Sequence, residues 1–214
     1  MKSEIEKIEK RPIQYWYEDG LNELAFGAID LCAGAYFWLR TRIPQGSAWH
    51  VLWAIGMFPL LYVGIHLLNN MVKTLKQNLT YSRTGFVSFR RPQGWRKWFS
   101  IRGAIFGAGW ALVYGFLRSD AFPSVNTAAW IPLVTGLIFA GAFIWAGMKT
   151  GIFRLLVTAV ISALAGVGLF LAGLPEMAAL GAFWGILGVS FCLSGAFALL
   201  RYLRRHPSSG ADPS

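Results

Sequence analysis

Apolar residues in this chain gather into six long runs, and all but one of the polar stretches between them are short. The runs cover about 21–39, 48–72, 100–117, 128–148, 152–174 and 177–200. A helix needs roughly 20 apolar residues to cross the hydrocarbon core of a bilayer, and the runs meet or approach that length, the third being the shortest. The pattern predicts an all-α integral membrane protein with six transmembrane helices. Residues 1–20 form a cytoplasmic N-terminal segment, in which KSEIEKIEK reads as a short charged helix stopped by Pro12. The aromatics Tyr15, Trp16 and Tyr17 follow, where an interfacial belt would sit. Residues 201–214 read as a disordered cytoplasmic tail.

The long polar stretch, 73–99, is predicted to be a basic cytoplasmic loop. Its segment Leu79-Thr80-Tyr81-Ser82-Arg83-Thr84-Gly85-Phe86-Val87-Ser88-Phe89 carries two β-like runs around an Arg-Thr-Gly turn and predicts a small β-hairpin. Trp95, Trp98 and Phe99 then share one helical face while Arg96 and Lys97 point away, the pattern of a short interfacial helix.

Composition agrees with the membrane reading. Hydrophobic residues are 55% of the chain and charged residues 14%, against roughly 25% charged in soluble domains. The net charge of +10 would suggest nucleic acid in a soluble protein, but its placement excludes that. No acid occurs between Asp30 and Asp120, where eleven Lys and Arg fall, eight of them in or beside the one loop. With both termini cytoplasmic, seventeen Lys and Arg lie inside and three (Arg40, Arg42, Arg118) outside, a strong positive-inside bias. Glu4, Glu6 and Glu9, with a first apolar run only from Leu21, argue against a cleavable signal.

Polar residues inside the spans are few and therefore informative. Glu23 and Asp30 are seven residues apart on one face of the first span, with Gly27 and Gly34 on the same stripe. A carboxylate at a helix centre costs about 2.5–3.5 kcal/mol to insert, so it should face protein or water. The second span offers Tyr62, His66, Asn69, Asn70 and Lys73 at helical spacing, and an Asp30–His66 contact is expected at similar depth. The intramembrane polar face is therefore Glu23, Asp30, His66, Asn69 and Asn70, read either as a clamp between helices or as a proton or ion relay.

Small residues recur every fourth position at Gly103, Gly107, Ala111 and Gly115, a stripe that lets another backbone come close. Gly181, Gly185, Gly188 and Cys192 in the sixth run, and Ser162 and Gly166 in the fifth, offer similar faces. The loop residues Arg90, Arg91, Arg96 and Lys97 are expected to contact anionic lipid headgroups, each basic residue contributing about 1 kcal/mol near such a surface. Cys32 and Cys192 both lie in apolar runs and read as small buried residues.

The segments YWYEDGLNEL (15–24) and LTYSRTGFVSF (79–89) together resemble paired segments in a family of bacterial multispanning inner-membrane proteins. There an aromatic-Asp-Gly-Leu-x-Glu segment opens the first span, and a Tyr-Pro-Arg-Thr-Gly-aromatic-Val segment lies in the first cytoplasmic loop. Ser82 stands here in place of the proline. The resemblance covers roughly residues 11–102. It implies a bacterial inner-membrane protein and no activity. It further suggests that Asp19, Glu23 and the Arg83-Thr84-Gly85 turn meet at the cytoplasmic face, with Arg83 pairing with a carboxylate.

No phosphate-binding loop, nucleophile elbow, zinc-protease motif or Cys/His ligand set is present in the sequence. No catalytic residue, metal or cofactor is therefore expected. The leading function class is a non-enzymatic accessory, assembly or regulatory subunit, with a membrane-protein partner or a second copy as partner and no nucleic acid. A small transporter or channel using Glu23, Asp30 and His66 is the second class. A membrane enzyme acting on lipid through Asp19, Glu23 or Arg83 is the third.

Overall fold

Four long helices organise the part of the chain that the computed structural model describes, namely residues 17–44, 47, 49, 64, 66–68, 70–81, 112 and 127–206. They are α1 (Leu21–Arg40), α2 (Ile131–Thr150), α3 (Phe153–Leu171) and α4 (Glu176–Arg205). The described residues are mostly helical and contain no strand.

Three of these helices, α2, α3 and α4, are long and apolar enough to cross a membrane. They coincide with the fourth, fifth and sixth apolar runs. Helix α1 fills the first run and is equally long, but Asn22, Glu23 and Asp30 lower its apolarity and it does not join the three. Residues 82–99, with Arg83, Thr84, Gly85, Arg90, Arg91, Arg96 and Lys97, lie outside the described residues. So do Gly103, Gly107, Ala111 and Gly115 of the third run, and Asn69 and most of the second.

Two boundaries differ from expectation. The segment after residue 72 is not loop at once, because helical residues 70–75 continue into a π-helical turn, Lys76–Tyr81. Leu79, Thr80 and Tyr81, expected as the first strand of the hairpin, belong to that turn. A π-turn closes i→i+5 hydrogen bonds instead of i→i+4 ones, and Lys76 opens this one. At the other end of the chain, α4 runs on through Arg205, so residues 201–205 are helix rather than tail. At about 1.5 Å per residue its 30 residues span about 45 Å, longer than a bilayer core. The last ten residues carry Arg201, Arg204 and Arg205 out past the start of α1.

The helices associate as two antiparallel pairs. Helix α1 lies along α4, α2 lies along α3, and α3 joins the pairs through α4. The α2–α3 hairpin turns at Gly151, whose φ of 72° is open to glycine and strained for other residues, and its N–H closes onto the Gly147 carbonyl at 2.8 Å.

Backbone approaches backbone at both pair interfaces. A Cβ on Gly136 would stand 2.7 Å from the Gly166 Cα, and Ser162 donates its hydroxyl to the Gly136 carbonyl at 3.0 Å. In the α1–α4 pair the contacts repeat every seven residues along both chains. Gly20 meets Gly195, Gly27 meets Gly188, and Gly34 meets Gly181. A seven-residue seam stays in register only if the two helices wind around each other left-handedly. The small residues at these contacts thus pack within the chain.

Large apolar side chains fill the space between the pairs. Tyr36, Phe37, Ile131 and Leu180 form one buried cluster, and Ala165, Leu169, Phe183 and Leu187 another. Phe139 and Trp184 stack edge-on at 5.0 Å beside the second. Many others point outward, including Phe153, Val160, Leu164 and Leu171 on α3 and Leu193 and Phe197 on α4, each more than half exposed. Water would penalise so continuous an apolar surface, whereas hydrocarbon would not.

A charge cluster at one end of the helix bundle

The end of the bundle where α1 begins holds its buried charges. A turn at Tyr17–Asp19 enters α1 through Gly20, whose φ of 69° bends the chain. Asp19 sits at that bend, and its Oδ1 accepts the Leu21 N–H at 3.2 Å, covering one of the free amides at the helix start. Its Oδ2 lies 3.0 Å from Lys76 Nζ, in an ion pair whose side chains are only 2% and 3% exposed. Burial this complete makes the pair an obligate unit, since either charge alone in that position would be strongly unfavourable.

One turn further along α1, Glu23 is just as buried. Its Oε2 accepts from Arg154 Nη1 at 2.9 Å and from the Ser194 hydroxyl at 3.2 Å. Arg154 also donates Nη2 to the Tyr17 carbonyl at 2.8 Å. One guanidinium on α3 therefore holds both the entry turn and the first turn of α1, while Ser194 ties in α4. The other carboxylate oxygen, Glu23 Oε1, is buried and has no hydrogen-bond partner among the described residues.

Asp19 and Glu23 lie at one end of the bundle, and among the described residues Lys76 and Arg154 pair with them, while the Arg83-Thr84-Gly85 turn expected beside them lies outside the described residues. Lys76 was foreshadowed by position: Gly64, Leu68, Val72 and Lys76 fall four residues apart, and they are the partly or fully buried positions of that segment. His66 and Asn70, expected on the inward polar face, are instead exposed. A helix has room for one inward stripe, and here it is the stripe that carries Lys76 to Asp19. Arg154 also left a trace. A cation in the first turn of a helix opposes the helix dipole, so it needs compensation from elsewhere, which Glu23 supplies. Ser194 had no distinguishing signal.

Asp30 stands apart from this cluster. It is half-buried at the tenth residue of the 20-residue α1, about one turn beyond Gly27, whose Cβ position faces the Cys192 thiol on α4. Among the described residues no hydrogen bond or ion pair reaches its carboxyl, so the expected Asp30–His66 contact is not formed. Both cysteines are free thiols, Cys32 exposed and Cys192 half-buried. Among the described residues no three His, Cys, Asp or Glu side chains come together as a metal site would require.

Aromatic–cation pairs mark both ends. Arg42 sits 5.6 Å over the Trp38 ring where α1 finishes, and Lys149 sits 5.2 Å over Trp145 at the charged end. Tryptophan beside a basic residue is the usual furniture of a membrane–water interface. The fold thus defines a helical protein with three helices able to cross a membrane and a buried charge cluster at one end. No protein-family model, no curated protein and no solved structure matches the chain.

Proposed function

We propose that this chain is a six-span bacterial inner-membrane protein with both termini cytoplasmic, acting as a non-enzymatic accessory, assembly or regulatory subunit. The observation that carries this reading is how the bundle uses its buried charges. Asp19 and Lys76, and Glu23 and Arg154, bind one element of the chain to another. Charges spent on internal cohesion suit a scaffold better than a reaction centre. The distribution of basic residues supports the orientation. Lys149, Arg154, Arg201, Arg204 and Arg205 gather at the end with the charge cluster, and Arg40 and Arg42 at the other. The resemblance of residues 15–24 and 79–89 to a bacterial inner-membrane family supports the compartment, and the basic loop supports contact with anionic lipid.

Tagged protein purified from native membranes in mild detergent tests the reading by mass spectrometry. A membrane-protein partner at fixed stoichiometry, whose abundance falls when this chain is deleted, is the expected result. A monomer or homo-oligomer carrying only lipid would overturn it.

A second reading, a small transporter or channel using Glu23, Asp30 and His66, is favoured by one observation. Asp30 is a carboxyl at mid-helix without a hydrogen bond or ion pair from a described residue. Flux in reconstituted vesicles that is lost in Asp30→Asn would support transport; flux unchanged in that variant would sink it.

A further inference from the structure

Two carboxyls seven residues apart on one face of α1 have opposite surroundings. Glu23 is in the first turn and receives two donors, Arg154 and Ser194, on one oxygen. Asp30 is the tenth of twenty residues, about 15 Å along the axis from either end of α1, and receives no hydrogen bond or ion pair from a described residue. The groups presented to α1 by the described elements around it are few. They are the Cys192 thiol and the Ser194 hydroxyl on α4, the Arg154 guanidinium on α3 and the Lys76 ammonium on the π-turn. Arg154 is held by Glu23 and Lys76 by Asp19, about two and three turns from Asp30. His66 and Lys73 on the neighbouring segment are exposed.

An ionised carboxylate in hydrocarbon without donors is far more costly than a neutral carboxylic acid, and a bound proton is the one ligand that needs no further coordination. A metal cation would need several oxygen ligands, whereas the α4 side chain against Gly27, about one turn from Asp30, is the Cys192 thiol. We propose that Asp30 is a proton-binding site at the middle of α1, a neutral carboxylic acid in the resting protein, whereas Glu23 stays a carboxylate in its pair with Arg154. The inference rests on the reading of α1 as a membrane span. It also divides the polar face, since the exchangeable proton belongs to Asp30 and Glu23 holds the helix in place.

The test is labelling of the full-length protein in native membranes with the apolar reagent dicyclohexylcarbodiimide, read by peptide mass spectrometry. A protonated carboxyl gives its proton to a carbodiimide nitrogen while its oxygen bonds the central carbon. The adduct rearranges to a stable N-acylurea, an addition in which no group leaves. Asp30 is expected to gain one reagent, at a rate that falls roughly tenfold per pH unit once the carboxyl ionises. Glu23 should react at least about tenfold less, as expected for a carboxylate paired with a guanidinium. Asp30→Asn should remove the label. No label on Asp30 from acid to neutral pH, a rate independent of pH, or equal labelling of Glu23 would overturn the proposal. Cys32, two residues further on and exposed, tests the premise separately. A membrane-impermeant charged maleimide should fail to reach it until the protein is denatured, and ready reaction in the folded protein would remove α1 from the bilayer.

Discussion

Arg154 on α3 and Glu23 on α1 meet at 2.9 Å across 131 residues of chain, the Glu23 side chain 3% and the Arg154 side chain 29% exposed. The Arg154 side chain is partly exposed, and its guanidinium carries both Glu23 and the Tyr17 carbonyl. This contact and the Asp19–Lys76 pair differ in one respect that can be measured. Both side chains of the Asp19–Lys76 pair are buried, whereas in the Glu23–Arg154 pair only the carboxylate side chain is.

Lys76→Met should therefore destabilise the protein more than Arg154→Met. Removing one partner of a fully buried pair typically costs about 3–5 kcal/mol, because the other charge is left uncompensated. Adding Asp19→Asn to Lys76→Met should recover part of that loss. Midpoints of denaturant-induced unfolding in detergent for the two single variants and the double variant check this, and equal losses from Lys76→Met and Arg154→Met would contradict it.

Gly188→Leu should disrupt the α1–α4 seam, since a Cβ there already meets the Leu31 backbone nitrogen and side chain at 2.7 Å. Overpacking of this kind costs about 1–3 kcal/mol, and a rigid backbone neighbour places it at the upper end. Gly141 has open space around its Cβ position. Gly141→Ala should be neutral or gain up to about 1 kcal/mol from reduced backbone entropy. Thermal aggregation midpoints of the two variants should move in opposite directions or only for the first.

Ser162→Ala removes the hydrogen bond to the Gly136 carbonyl. The carbonyl keeps its place in the helix ladder, so the loss should be small, about 0.6 kcal/mol as for typical interhelical bonds in membranes. Ser162→Leu should cost far more, because the side chain is fully buried against the α2 backbone. A similar loss for both substitutions would mean that the hydroxyl, not the close approach, holds α2 to α3.

Orientation can be read with single cysteines placed in a Cys32→Ser, Cys192→Ser background. Arg42→Cys should react with a membrane-impermeant maleimide added outside intact cells, and Arg204→Cys only after lysis. The reverse pattern would invert the proposed topology.

Apolar run length located α1 to α4, because helix formation is a local matter: an α-helix satisfies its backbone amides within its own segment. Glu23 and Asp30 stood out in the sequence as carboxyls where charge is expensive. Gly27, Gly34, Gly181 and Gly188, which pack α4 against α1, were also legible in small-residue stripes, but Gly20, Gly195 and the pairing were not. Gly20 against Gly195 and Gly34 against Gly181 required the antiparallel register of two helices more than 100 residues apart. Partner choice was hidden in the same way. His66 looked the better neighbour for a carboxylate, and the structure turns its segment so that Lys76 points inward instead. Rotation of a helix about its axis leaves its own hydrogen bonds unchanged, so local sequence does not determine it. The charges of Asp19, Glu23, Lys76 and Arg154 and the close glycine contacts, which act between helices, decided it.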